Sequence, residues 1–135
     1  IGISLVERVK VKTTPALKID AGSIGGPSAG LMFALDSYQI FTHKNLSNNH
    51  KIAGTGTIDP TGKVGIIGGV DKKVVAADKA GAEVFFAPTD STGVAKNKTN
   101  YVIAKKVAKQ INSKMKIVPV ANFDDALSYL SKKYK

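Results

Sequence analysis

Two residues have the type and setting for covalent catalysis: Ser28, in GSIGGPSAGLMFAL (Gly22 to Leu35), and Lys73, in VDKKVVAADKAG (Val70 to Gly81). Pro27 suits the first position of a helix, because the N–H it lacks would have had no intrahelical partner. Ser28 then falls in the first helical turn, where free backbone N–H groups and the positive end of the helix dipole gather. A negative oxygen developing on a substrate carbonyl would be stabilised there. Gly25, Gly26 and Gly30 would leave room for a peptide backbone to approach. The same stretch also describes an ordinary helix cap, and Ser23 is an ordinary loop serine. The choice turns on whether Ser28 has a base.

Histidine is the usual base, but neither His43 nor His50 looks placed for it: both share one polar loop, HKNLSNNHK, without the short helical spacing or acidic partners of a zinc site. Lysine is the other option, since Ser-Lys pairs are a variant of the triad arrangement. Of the many lysines, Lys73 is singled out by helical periodicity. Val70, Ala77 and Ala80 share its face, Val74 flanks them, and Asp71, Lys72, Asp78 and Lys79 fall on the polar side. Apolar surroundings disfavour an ammonium and so free an amine to act as a base. The competing reading is a long stem that carries its charge outward to water.

The elements that would position this pair read as an α/β (α+β) domain, 1–135, with mixed sheets packed by helices. Residues 4–12 read as a strand. Residues 29–41 carry Leu31, Leu35 and Tyr38 at helical spacing, with Met32, Phe33 and Ala34 on other faces, which predicts a buried central helix. Strands over 51–59 and 63–67, joined by the turn DPTG, read as a hairpin. A helix over 70–80 closes on Gly81, and a short buried strand over 84–87 ends at Pro88. A polar loop spans 90–100. A helix over 101–111, a strand over 116–120 and a last helix capped by Asn122 and running to Tyr134 complete the chain.

Length and composition bound the remaining choices. A chain of 135 residues with 43% hydrophobic residues suits one globular domain with a real core. It begins at Ile1, so it reads as a fragment or a processed product, and its apolar runs fall short of the ~20 residues that span a bilayer. No cysteine is present, which excludes disulfides, thiolate catalysis and sulfur-ligated metals. The net charge of +10 raises nucleic acid as a partner, but Arg8 is the only arginine and no stacking-aromatic signature accompanies the lysines. No nucleic-acid partner is expected. DPTGK fails as a phosphate loop, because Val64 stands where Ser or Thr must hold magnesium, and GIIGG does not fit the dinucleotide fingerprint. No cofactor and no metal are expected.

IGGPSAGLMFAL around Ser28, followed by GTGTIDPTGKVGIIGGVDKKVVAADKAG from Gly54 to Gly81, resembles the proteolytic domain of Lon proteases. The likeness covers nearly the whole chain. Its motifs are PSAG for a nucleophile and GG-x-x-x-K, here Gly68, Gly69 and Lys73, for its base. The 45 residues from Ser28 to Lys73 suit the membrane-anchored bacterial branch that joins a PDZ domain to a Lon-type domain and lacks the ATPase module. The resemblance implies an ATP-independent serine endopeptidase in which Ser28 attacks the scissile carbonyl and Lys73 is the general base. Thr55 would orient the lysine, and the backbone N–H groups of Gly26 and Ser28 would form the oxyanion hole.

It further implies a peptide or protein substrate, a PDZ domain and a membrane anchor in N-terminal sequence outside this chain, and an extracytoplasmic position at the cell membrane. Self-assembly, as in Lon rings, stays open. One departure is visible: ATP-dependent Lon enzymes usually carry an acidic residue two positions before the proline, where this chain has Gly25. Two alternatives from other classes remain at this point. One is a basic binding module for an anionic polymer or partner protein, and the other is a hydrolase using His43 or His50.

Overall fold

The structure, a computed structural model, describes residues 26–134. The strand expected over 4–12 lies outside the described residues. A 3-10 turn, Pro27–Ala29, leads directly into α1, Gly30–Thr42. Strand β1 is Ile52–Gly54, and the pair β2, Thr57–Ile58, and β3, Val64–Gly65, forms a small antiparallel hairpin. Helix α2, Val70–Lys79, strand β4, Val84–Pro88, helix α3, Asn100–Gln110, strand β5, Lys116–Val120, and helix α4, Phe123–Lys133, follow in order.

The main sheet is parallel, in the order β1-β4-β5, with Ile52 opposite Val84 and Val84 opposite Lys116. All five residues of β4 are buried, as expected for a central strand covered on both faces. The pleat divides them. Val84 and Phe86 join Leu31 and Leu35 of α1 and Ala126 and Leu130 of α4 in one cluster. Phe85 and Ala87 face Val70, Val74 and Ala77 of α2 and Ala104 and Ala108 of α3 in the other. Helices therefore cover both faces of the sheet, which bears out the mixed α/β class.

Four expectations need correction. The strand expected over 51–59 is two strands, because the chain leaves the main sheet after Gly54. Gly56, at φ +149°, lies between them, and a side chain there would meet Val64 at 2.6 Å. Consequently β1 pairs with β4 and only β2 enters the hairpin, whose turn is held by Asp59. Its Oδ1 accepts from Thr61 N–H at 2.9 Å, Thr61 Oγ1 at 2.6 Å and Lys63 N–H at 3.0 Å. The second hairpin strand is also short, Val64–Gly65; before it, Lys63 bridges to Asn122 and its carbonyl accepts Asp59 N–H at 3.1 Å.

Helix α1 is also not buried all round. Leu31 and Leu35 are buried and Tyr38 packs against their cluster, but Ile40 and Phe41 are 48% and 39% exposed. Helix α2 buries Val70, Val74 and Ala77 as the periodicity required, whereas Ala80 is its exposed C-cap. Beyond it Gly81, at φ +77°, closes the helix: Gly81 N–H donates to Asp78 O at 2.9 Å and Ala82 N–H to Ala77 O at 3.0 Å. Asn122 caps α4 as expected, in a capping box with Asp125.

Candidate active site

Ser28 sits in the 3-10 turn that starts α1, with Pro27 at its first position and Gly26 as N-cap. Gly26 has φ +87°, a conformation that favours glycine, and the space a side chain would fill there is open. Gly25 lies outside the described residues. Gly30 serves packing rather than access, correcting the sequence expectation. A Cβ on Gly30 would meet Ile58 Cγ2 at 3.0 Å and Ile58 N at 3.1 Å, so its smallness lets α1 approach β2.

The turn is fastened to the end of β1 through its backbone. The Ser28 carbonyl accepts Gly56 N–H at 2.9 Å and Thr55 Oγ1 at 3.0 Å, and Leu31 N–H donates to Gly56 O at 3.1 Å. Thr55 is 2% exposed, and its own N–H donates to Phe86 O at 3.1 Å. A buried threonine thus extends the sheet by one bond and places the serine with its hydroxyl. Its hydroxyl proton goes to the Ser28 carbonyl, a contact the sequence did not disclose.

Lys73 lies one turn into α2 and is half-buried, beside Val70 and Val74 on the core-facing stripe. Its N–H bonds Gly69 O at 3.2 Å, and Gly69, at φ +68°, is the left-handed residue that turns the chain into the helix. The parallel topology brings the parts to one edge. Helices α2 and α3 return the chain to the start of the next parallel strand, so both begin at the C-terminal end of the sheet. Thr55 and the Ser28 turn lie at the same end of β1. Such edges are where open α/β sheets bind ligands. Ser28 and Thr55 are hydrogen-bonded, whereas no hydrogen bond joins Ser28 to Lys73; α1 packs in the cluster on the Val84 and Phe86 face of the sheet and α2 in the cluster on the Phe85 and Ala87 face.

The histidines have other employment. His43, at φ 51°, ends α1: its N–H donates to Ile40 O at 3.4 Å and Lys44 N–H donates to Gln39 O at 3.2 Å. His50 does have an acidic partner, contrary to expectation. Its Nδ1 lies 2.8 Å from Glu83 Oε2, and its ring stacks on Tyr134 at 4.3 Å. That hydrogen bond is the leading cause holding the Glu83 carboxyl below its ordinary value. Glu83 precedes β4 at its N-terminal end, the opposite edge of the sheet from Thr55. No group of three or more metal-ligating side chains occurs among the described residues.

Two grooves, of 630 Å³ beside β5 and 540 Å³ between the DPTG turn, α1 and α4, are lined by none of Ser28, Thr55 or Lys73. Sequence reasoning missed Asn100. It is 3% exposed, and its carboxamide bonds both backbone groups of Ile67, from Nδ2 to Ile67 O and from Ile67 N–H to Oδ1, each at 2.9 Å. Its place in a lysine- and asparagine-rich stretch gave no signal of burial.

A family profile described as the Lon protease (S16) C-terminal proteolytic domain matches residues 12–132. Among curated proteins, the chain is 36% identical over 107 residues to a Lon protease of Malacoplasma penetrans, covering 79% of this chain and 12% of that protein. It is 35% identical over 102 residues to a Lon protease of Campylobacter concisus, covering 76% and 11%. It is 30% identical over 118 residues to a Lon protease of Trichlorobacter lovleyi, covering 86% and 13%. The chain thus spans about one-eighth of the length of these relatives.

Proposed function

Because the chain belongs to the Lon protease (S16) family of C-terminal proteolytic domains, we propose that it is a serine endopeptidase that cleaves peptides or exposed protein segments without ATP. Ser28 Oγ attacks the scissile carbonyl while the Lys73 amine takes the hydroxyl proton. The tetrahedral oxyanion is met by the N–H groups of Gly26 and Ser28, Pro27 having none to offer. Lys73 then delivers its proton to the leaving amine, and the C–N bond breaks to leave an ester on Ser28. Water attacks that ester with Lys73 accepting its proton. Collapse releases the carboxyl product, and the proton returns to Ser28 Oγ.

The observation that carries this reading is the pair of hydrogen bonds accepted by the Ser28 carbonyl, from Gly56 N–H and the buried Thr55 hydroxyl. It holds the PSAG turn at the sheet edge where the GG-x-x-x-K helix also begins. Positioning of this kind lowers the barrier once a base activates the hydroxyl.

The finer assignment, to the branch with a PDZ domain and an N-terminal membrane anchor outside the cytoplasm, belongs to the same proposal. It is supported by the 45-residue interval from Ser28 to Lys73, by Gly25 in place of an acidic residue, and by a cysteine-free, lysine-rich composition suited to anionic lipid or polymer. No helix among the described residues is long and apolar enough to cross a membrane. The test is product mapping by mass spectrometry after incubation with a diverse peptide library, with and without ATP, wild type beside Ser28→Ala. Equal cleavage with and without ATP, absent in Ser28→Ala, is expected. Binding to an anionic polymer with no cleavage of any peptide would replace the enzyme reading with a binding module.

A further inference from the structure

We propose that Asn100 is the positioning residue for the base, acting through Ile67 on the Gly68-Gly69 link that launches Lys73. The inference rests on the Ser28/Lys73 reading above. Asn100 opens α3, whose start is fixed independently, because the side chain of Thr99 caps it by accepting from Val102 N–H at 3.4 Å. From that point the carboxamide pairs with Ile67 as a neighbouring strand would, donor to acceptor and acceptor to donor. The pairing also fixes which way the amide faces, since only one orientation satisfies both groups of Ile67.

The link after Ile67 has little else to hold it. Gly68 and Gly69 are exposed, and a Cβ on either would meet nothing within 4 Å. Packing resumes at Val70, 3% exposed in the cluster with Val74 and Ala77. The segment from which Lys73 projects is therefore pinned at two points, a hydrogen-bond clamp at Ile67 and an apolar anchor at Val70. A lysine base must lie within hydrogen-bond reach of a serine fixed from the other side by Thr55, and small displacements of such a pair are costly. A buried amide costs free energy unless its polar atoms are paired. A clamp made only to close the core could be replaced by an apolar side chain at this position, whereas holding a backbone by both its polar groups requires an amide.

The test compares Asn100→Asp and Asn100→Ala with wild type by steady-state kinetics, melting curves and pH profiles of kcat/KM. Asn100→Asp keeps the side-chain size and the acceptor for Ile67 N–H but loses the donor to Ile67 O. Both variants are expected to lose about 10- to 100-fold in kcat, with KM within about threefold. The pH limb governed by the base should move along the pH axis in Asn100→Ala, which adds no charge, and simple loss of folded protein cannot cause such a move. Should Asn100→Ala fail to fold, Asn100→Asp carries the test.

Asn122→Ala is the control, because it removes the α4 cap at a stability cost of about 1 kcal/mol without touching Ile67. It should lower the melting temperature while leaving kcat within about twofold. A wild-type kcat and pH profile in Asn100→Asp overturns the inference, as does an equal kcat loss in Asn122→Ala at matched loss of melting temperature. Lys73→Ala separates the two levels. If it retains cleavage, the dyad reading itself falls; if it loses cleavage while Asn100→Asp does not, only the role of Asn100 falls.

Discussion

At the scale of single residues, the proposed site depends on where one carbonyl is held. Ser28 O receives two donors from the end of β1, and one of them is a side chain that substitution can remove cleanly. Thr55→Val keeps the shape and deletes the hydroxyl, leaving Gly56 N–H in place. A loss of about 1 kcal/mol in stability is expected, the usual net worth of such a bond. The kcat should fall more than KM rises, because what is lost is the placement of the nucleophile. Thr55→Ser, which keeps the donor, should recover most of kcat. If the valine variant turns over like wild type, the contact is structural only.

At the scale of elements, the packing of α1 on the sheet allows no extra volume at Gly54. A Cβ there would meet Met32 Sδ at 2.7 Å and Phe86 Cβ at 2.9 Å. Gly54→Ala is therefore expected to destabilise by about 1–3 kcal/mol through overpacking. Gly68→Ala, in open space, should change stability by less than about 0.5 kcal/mol. Chemical denaturation of the two variants side by side checks the contrast, and equal effects would refute it.

The same elements show what could be read from sequence. Periodicity found α2, α3, β4, β5 and α4 to within a residue or two, helped at α2, β4 and α4 by a start or stop signal: Gly81, Pro88, or Asn122 with Asp125. It failed where partners decide. Residues 51–59 have strand character throughout, and only the pairing of Ile52 with Val84 shows that the first part belongs to a parallel sheet. Exposure of Ile40 and Phe41 is equally a tertiary fact that an apolar run cannot announce. For the candidate site, motif and helical face nominate Ser28 and Lys73, and the structure places the first in the turn that starts α1 and the second, half-buried, one turn into α2. The Thr55 hydroxyl bond to Ser28 and the Asn100 clamp join positions 27 and 33 residues apart, and no local pattern encodes them.

At the scale of the whole molecule, which carries a net charge of +10, three carboxylates are held by hydrogen bonds from neighbouring side chains and backbone. Hydrogen bonds from Thr61 and Lys63 hold Asp59 below its ordinary value of 3.8, and those from Thr92 do the same for Asp90. His50 does so for Glu83, below 4.5. A carboxyl depressed in the folded state contributes stability that is complete above its unfolded value and disappears as pH falls through its folded value. Melting temperature should therefore hold steady above the ordinary carboxylate range and decline on acidification below it. A variant carrying Asp59→Asn, Glu83→Gln and Asp90→Asn should show a shallower decline. An identical slope would remove these three groups from the account.

The central claim is that Ser28 and Lys73 act together on a peptide bond, and kcat/KM on a peptide identified by product mapping tests it most directly. Wild type, Ser28→Ala and Lys73→Ala are measured alongside their circular dichroism and melting curves. The account predicts that each substitution lowers kcat/KM by about four orders of magnitude while the fold and melting temperature stay near wild type. Cleavage retained by folded Lys73→Ala, or by folded Ser28→Ala, would contradict it.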